Sequence, residues 1–199
     1  MEASYLERHP LLKDALGIIL FIVCVLVGTL LINSFVFRSF NVLGPSMEST
    51  LYTGDRLIVN RLPVTWAQLK NETYVPERGD VIVFKNPLYN NNTGDEFIVK
   101  RVIAFPGERV TVKNGVLTVY NDSRPDGFQP DKDFNGEPGS PTSGDVNVTV
   151  TEGNLFVAGD HREGSYSMDS RNGLGLIPYY DVIGPVSLRI YPFTAIRTF

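Results

Sequence analysis

The 199-residue chain has a single cysteine, Cys24, and only two histidines, His9 and His161. One cysteine excludes an intramolecular disulfide and any multi-cysteine metal site, whatever the redox compartment, so stability has to come from packing. Positive charge is also scarce: 18 Lys and Arg stand against 22 Asp and Glu, giving a formal net charge of −4 and a pI near 5.2. That balance supplies no basic groove, and no nucleic-acid partner is expected. A third absence is local. Ala15 to Ile32, ALGIILFIVCVLVGTLLI, contains no charged residue, and only Glu2, Glu7, Arg8, Lys13 and Asp14 carry charge ahead of Phe37.

At about 1.5 Å per residue the uncharged run spans about 27 Å, and continuing through Asn33, Ser34, Phe35, Val36 and Phe37 reaches the roughly 30 Å of a bilayer core. Residues 15–37 are therefore expected to be a transmembrane anchor, with 1–14 as an N-terminal flank and 38–199 as an external domain. The 162 residues of that domain suffice for one sizeable core. A cleavable secretory signal competes for the N-terminus, but the length of the run and the lack of a clear small-x-small site after it favour a retained anchor. Arg8 and Lys13 share their flank with Glu2, Glu7 and Asp14, and Arg38 stands on the far side. Counting positive residues leans towards a cytoplasmic N-terminus. Cys24, inside the run, reads as a small hydrophobe.

Beyond the anchor, short strands dominate. Leu57–Val59, Asp80–Phe84, Phe97–Phe105, Leu155–Ala158 and Val186–Tyr191 are strand candidates, and Val110–Val112 with Val116–Val119 flank Lys113-Asn114-Gly115 as a tight hairpin. Thr65–Lys70 suggests a short helix with Trp66 partly buried, its extent limited by Pro63 and Pro76. Residues 121–144, NDSRPDGFQPDKDFNGEPGSPTSG, suit a turn-rich insertion better than a regular element. Asn-X-Ser/Thr triplets at Asn71, Asn91, Asn121 and Asn147 read as polar turns or exposed strand ends.

Chemistry points to three segments. Ser46 lies in Asn41-Val-Leu-Gly-Pro-Ser-Met-Glu-Ser-Thr-Leu51, where Gly44 and Pro45 shape a turn, but a serine needs an activating base to become a nucleophile. Lys100 lies in Phe97-Ile98-Val99-Lys100-Arg101-Val102-Ile103-Ala104-Phe105, where alternation groups it with Ile98, Val102 and Ala104 and turns Arg101 the other way. Burial of that lysine would lower its pKa and favour the neutral amine that a general base requires; the alternative is an edge-strand lysine with its ammonium in water. Gly159-Asp160-His161-Arg162-Glu163-Gly164-Ser165-Tyr166-Ser167-Met168-Asp169-Ser170-Arg171 follows a strand. Ser167 is placed to orient the Lys100 amine, while Asp160 or Asp169 is placed to hold Arg171. The alternative for this segment is a surface loop laced with ordinary ion pairs.

Taken together these segments resemble the bacterial type I signal peptidase family, membrane-anchored serine proteases with a Ser/Lys dyad. The Ser46 segment is similar to the nucleophile box, Gly54–Asn60 and Arg78–Phe84 to two further family segments, Lys100–Gly107 to the lysine box, and Gly159–Arg171 to the terminal box. The resemblance implies a mostly β fold: one N-terminal transmembrane helix, then a β catalytic core with a smaller inserted β and turn-rich region. It implies Ser46 as nucleophile and Lys100 as general base, with Ser167 orienting the lysine and Asp160, Asp169 and Arg171 in support. No metal and no organic cofactor is implied. The implied substrates are secretory preproteins with small residues at positions −3 and −1. They would be cleaved at the outer face of the bacterial plasma membrane, in contact with the lipid bilayer and near the protein translocation machinery.

The chain departs from the family pattern at identifiable points. Glu48-Ser49-Thr50 stands where Pro-Thr is common, and Gly44 replaces a serine found two residues before the nucleophile in some members, which removes one hydroxyl donor from any oxyanion hole. The terminal box is two residues longer between Asp160 and Asp169, with His161 in place of a common Asn, so Ser165 and Ser167 compete for the lysine contact. Counting back from Asp169-Ser170-Arg171 favours Ser167. Two other readings share parts of the pattern: a Ser/Lys self-cleaving repressor, for which no DNA-binding domain is evident, and a membrane-tethered β binding protein that keeps the architecture without proteolysis.

Overall fold

The computed structural model describes residues 9–90, 94–134 and 141–199. Residues 1–8 of the expected N-terminal flank, the Asn91 triplet and 135–140 of the expected insertion lie outside the described residues. Helix α1 runs Pro10–Phe35. It opens on a proline, whose missing N–H costs nothing in a first turn, and Leu11–Phe35 is long and apolar enough to cross a membrane. Its large apolar side chains and Cys24 are exposed. The helix stops at Phe35, and Phe37, expected at the end of the anchor, is instead the first residue of a strand.

The rest is mostly β. The larger sheet contains β1 (Phe37–Asn41), β2 (Arg56–Asn60), β3 (Val81–Lys85), β4 (Phe97–Ala104), β9 (Asn154–Ala158), β10 (Ile177–Pro178), β11 (Val182–Tyr191) and β12 (Arg197–Thr198). Their order is β1-β2-β11-β3-β4-β9-β10, with β12 against β11. A second sheet, ordered β7-β6-β5-β8, contains β5 (Arg109–Lys113), β6 (Val116–Asn121), β7 (Arg124–Phe128) and β8 (Val146–Thr149). The apolar runs read from the sequence are the strands buried on both sides: β3 and the second half of β4 are closed from Val81 to Phe84 and from Lys100 to Ala104. One core cluster joins the two sheets, with Ile103, Phe156 and Ala158 of the first packed among Val110, Val112, Leu117 and Val119 of the second.

The β5–β6 hairpin pairs Lys113 with Val116, leaving Asn114 and Gly115 as a two-residue turn with φ of 51° and 79°. Both central residues need positive φ in this tight turn, which is why Asn-Gly marks it. The expected turn-rich insertion is more regular than its composition implies. It contains β7, RPDGF, followed by a 3-10 turn, Pro130–Asp133. A strand with a proline and a glycine survives because β7 is an edge among the described residues, paired there with β6 alone, so a missing N–H breaks no second ladder. Gly127, at φ 84°, also leaves room for the Tyr120 ring, which a Cβ would meet at 2.7 Å.

Helix α2 spans Leu62–Leu69, starting earlier than expected because Pro63 sits in the first turn instead of limiting the helix. Val64 and Ala67 face the core, while Trp66 is 63% exposed and not partly buried. The feature that positions the site is the uneven cover of β4. β3 pairs with it from Phe97 to Arg101, but the β9 ladder begins only at Arg101. Phe97–Lys100 therefore has an edge with no ladder partner among the described residues, and Lys100 stands where that open edge meets the closed core.

Candidate active site

The chain leaves β1 at Asn41 and turns through Gly44, φ 82°, and Pro45 before reaching Ser46. Two residues in this turn anchor it in the core: Met47 and Leu51 are fully buried. The backbone is held from the opposite side by the terminal box, since the His161 N–H donates to the Ser46 carbonyl at 3.1 Å and His161 Nδ1 lies 3.2 Å from the Pro45 carbonyl. The imidazole stacks on Tyr166 with ring centroids 4.5 Å apart. Nδ1 also lies 3.8 Å from Glu48 Oε2, so the ring is surrounded by the Ser46 turn and Tyr166.

Lys100 Nζ is 2.7 Å from Ser46 Oγ and 3.0 Å from the Val99 carbonyl. The side chain is 3% exposed. Burial pushes its pKa down from 10.5 to about 8, against the attraction of Asp169 and Asp160 and with help from Arg171. The nearest hydrogen-bond partners are a hydroxyl and a carbonyl, so no carboxylate in direct contact stabilises the charge. A lysine held this way releases its proton far more readily than one in water and can then accept one from Ser46.

Arg101, which the sequence only turned away from Lys100, is as deeply placed and fully partnered. Its Nε donates to Asp160 Oδ1 at 2.8 Å and its Nη2 to Asp160 Oδ2 at 2.5 Å, while Nη1 donates to the Gly79 carbonyl. Thr50 also donates to Asp160 Oδ2. The alternatives left open for Arg171 are thereby separated: Asp160 holds Arg101, and Asp169 holds Arg171 through Nε at 2.9 Å and Nη2 at 2.8 Å. Burial works against the Asp169 carboxylate, but the hydrogen bonds and charge of Arg171, with Ser167 and the Gly159 N–H, outweigh it and hold its pKa below the ordinary range.

Between the two serines considered for the lysine contact, Ser165 is exposed and Ser167 is buried. The Ser167 hydroxyl donates to Asp169 Oδ2 at 2.7 Å, while the Lys100 amine goes to Ser46 and Val99. The direct orienting bond expected from Ser167 to Lys100 is thus replaced by one to the carboxylate behind it. Ser167 lies beside the Ser46 turn, because a Cβ on Gly159 would come 2.1 Å from its Oγ and 2.2 Å from the Ser46 carbonyl oxygen. Only glycine permits that approach.

Sequence reasoning gave no partner to Arg101 and no role to Arg162 or Gly159. Arg162 is buried, with Nε on the Gly159 carbonyl at 2.7 Å and both Nη atoms on Asp131, at 2.7 and 2.8 Å. Asp131 belongs to the 3-10 turn of the inserted region, which is thereby docked on the terminal box. The only signals available were the positions of Arg101 and Arg162 inside two motif segments; their partners are 59 and 31 residues away. Beside Ser46 and Lys100 opens a cleft of about 400 Å³, walled by Phe40–Pro45 on one side and Asp95–Val99 on the other, with Tyr166 and Met168 at its rim.

Residues 14–191 match the family model described as signal peptidase, peptidase S26. The chain is 36% identical over 183 residues to signal peptidase I of Bacillus licheniformis, covering 88% of each chain. It is 35% identical over 178 residues to signal peptidase I T of Bacillus subtilis, covering 88% of this chain and 85% of the relative. A protein of Staphylococcus aureus named inactive signal peptidase IA is 31% identical over 188 residues, covering 92% and 95%. The crystal structure of a signal peptidase I from Enterococcus faecalis is 26% identical with a TM-score of 0.43, covering 58% of this chain and all of that one. With nearly its whole length matched, from the last charged residue before the apolar run to the end of β11, this chain belongs to the signal peptidase family, peptidase S26.

Proposed function

We propose that the protein is a membrane-bound serine endopeptidase that removes N-terminal signal peptides from translocated precursors, with Ser46 and Lys100 as its catalytic dyad. Family membership supports serine protease activity, but a relative named inactive means that membership alone does not carry it. The observation that carries the reading is the 2.7 Å contact between Ser46 Oγ and a buried lysine amine whose pKa is lowered to about 8.

In the first half-reaction neutral Lys100 accepts the Ser46 hydroxyl proton as Oγ attacks the scissile carbonyl carbon. The Ser46 backbone N–H would donate to the developing oxyanion. Lys100 then returns the proton to the leaving amine. Water, deprotonated by the same lysine, attacks the acyl-enzyme, and the proton passes back to Ser46 as the ester breaks. Asp169, held by Arg171, keeps the Ser167 loop against the nucleophile turn, and Asp160 locks the base of β4 through Arg101.

The open edge of Phe97–Lys100 suits an extended chain, which would pair as an added strand with its side chains alternating into the cleft. The substrates in this reading are preproteins with small residues at −3 and −1. In this reading the N-terminus lies in the cytoplasm and the catalytic domain outside the bacterial plasma membrane, within reach of chains leaving the translocation machinery. Purified full-length protein should cut a secretory precursor directly after a small residue, as mapped by sequencing the product. Ser46→Ala and Lys100→Met should each lower the rate by about 10²- to 10⁴-fold with folding retained. Full activity in either variant overturns the dyad. Absence of Ser46-dependent labelling by an acylating inhibitor would favour the tethered binding module.

A further inference from the structure

The peptide unit between Pro45 and Ser46 is trans and planar, so its carbonyl and its N–H point in fixed opposite directions. Whatever holds the Pro45 carbonyl therefore aims the Ser46 N–H, which itself has no acceptor among the described residues. Two donors of the described residues reach that carbonyl: the Glu48 N–H at 3.0 Å and His161 Nδ1 at 3.2 Å. A carbonyl oxygen has lone pairs for both. The Glu48 bond closes the turn on itself and moves with it. His161 is the donor that comes from a different part of the fold.

A carbonyl can only accept, so the hydrogen at this contact sits on Nδ1, and the neutral ring is the tautomer with Nε2 bare. Glu48 Oε2, at 3.8 Å from the same nitrogen, lies beyond hydrogen-bond reach. The Tyr166 ring stacked on the imidazole fixes its plane. The backbone adds a second hold, since the His161 N–H on the Ser46 carbonyl fastens the peptide unit that follows Ser46. One residue thus grips Ser46 through the peptide units on both sides. That residue is tied in turn to the strand that carries Lys100, because Asp160 precedes it and takes two bonds from Arg101. A single frame runs from β4 through Arg101, Asp160 and His161 to the Pro45 carbonyl.

We propose that His161 is a positioning residue for the reaction at Ser46: its Nδ1–H, acting through the Pro45 carbonyl, aims the Ser46 N–H at the developing oxyanion. The proposal rests on the dyad reading, with Ser46 as nucleophile and its N–H as oxyanion donor. Proton acceptor and oxyanion donor are then held in register by the one chain of contacts, so the donor needs no reorganisation when charge develops.

Full-length protein in detergent, cutting a secretory precursor, tests this. His161→Ala should lower kcat about 10- to 100-fold, the effect of an oxyanion donor turned aside and not removed, with KM changed less than about twofold. The backbone N–H at this position is kept in every variant. His161→Asn carries its amide nitrogen as many bonds from Cβ as Nδ1 and should bring kcat to within about threefold of wild type, while His161→Gln, one bond too long, should not. The pH midpoint of kcat/KM should stay in place in all three, because Lys100 is untouched. Ring-nitrogen NMR of the wild-type protein at alkaline pH, with His161→Asn identifying the signal, should show Nδ1 protonated and Nε2 bare. Equal kcat in the Asn and Gln variants, a loss carried by KM, a displaced midpoint or the opposite tautomer each overturns the proposal. If the Ala variant fails to fold, the contrast between Asn and Gln and the wild-type spectrum still decide. Full activity of Ser46→Ala removes the dyad itself. Full kcat in His161→Ala beside an inactive Ser46→Ala removes this proposal alone.

Discussion

Lys100 and Arg101 are consecutive residues of one strand, both buried and both cationic, and their surroundings differ in one respect. Arg101 meets a carboxylate with two of its nitrogens, Nε and Nη2, while Lys100 meets a hydroxyl and a backbone carbonyl. The arginine is a structural cation that ties β4 to the terminal box and to the turn at Thr50. The lysine has been removed from water without a direct counterion, so its charged form is disfavoured and its amine becomes neutral at accessible pH. In the proposed mechanism adjacent positions thus divide the work: one cation holds the loop in place, and the other supplies the proton acceptor.

The comparison breaks most severely if the arginine loses its acid. Asp160→Ala leaves the Arg101 charge buried and uncompensated, and should cost about 3–5 kcal/mol in denaturant unfolding, with lost activity following from lost structure. A cost below about 1 kcal/mol would mean that water replaces the carboxylate.

Lys100→Met should act in the opposite direction on stability. Lowering the amine from 10.5 to about 8 corresponds to about 3 kcal/mol of charging cost below pH 8. The methionine variant should gain up to that amount at neutral pH, less what the two lost hydrogen bonds contribute. Between pH 8 and 10.5 the unfolded lysine binds more proton than the folded one, so wild-type stability rises with pH and the difference closes. Equal stability of the two proteins at pH 7 would show that the lysine carries no charging cost.

The smallest effect concerns the acid near Lys100. Wild-type kcat/KM should rise about tenfold per pH unit up to about 8 and then level, because the neutral amine is the active form. Asp169 raises the lysine pKa, and its Arg171 partner lowers it. Asp169→Asn should therefore move the midpoint to lower pH, by less than about one unit. A midpoint displaced upward would contradict the electrostatic assignment.

Local chemistry was readable in the residues wherever one rule dominated. The uncharged stretch from Ala15 to Ile32 gives a helix, the Asn114-Gly115 pair gives a hairpin turn, and the apolar runs of β3 and β4 give strands closed on both faces. β7 was not readable, because Pro125 and Gly127 argue against a strand unless it is known to lie at an edge. Trp66 was misjudged for a related reason: a large aromatic on a short helix is ordinarily turned inward, and only the arrangement of Val64 and Ala67 against β11 shows that this one is not. At the site, Ser46, Lys100 and the acids were visible as residue types in motif segments. The pairing of Asp160 with Arg101, Asp169 with Arg171 and Arg162 with Asp131 was not, since any of these acids could serve any of these arginines until the chain is folded.

By itself, then, the sequence determined the identity of the groups, the apolar helix and the alternating strands, because helix and strand periodicity act over a few residues and are written into neighbouring positions. The tertiary structure alone decided which cation would be neutralised. That choice depends on burial and on partners 54 to 59 residues distant along the chain. A pKa is set by the dielectric surroundings and the nearest charges, and neither exists until β4, the Ser46 turn and the terminal box have packed together.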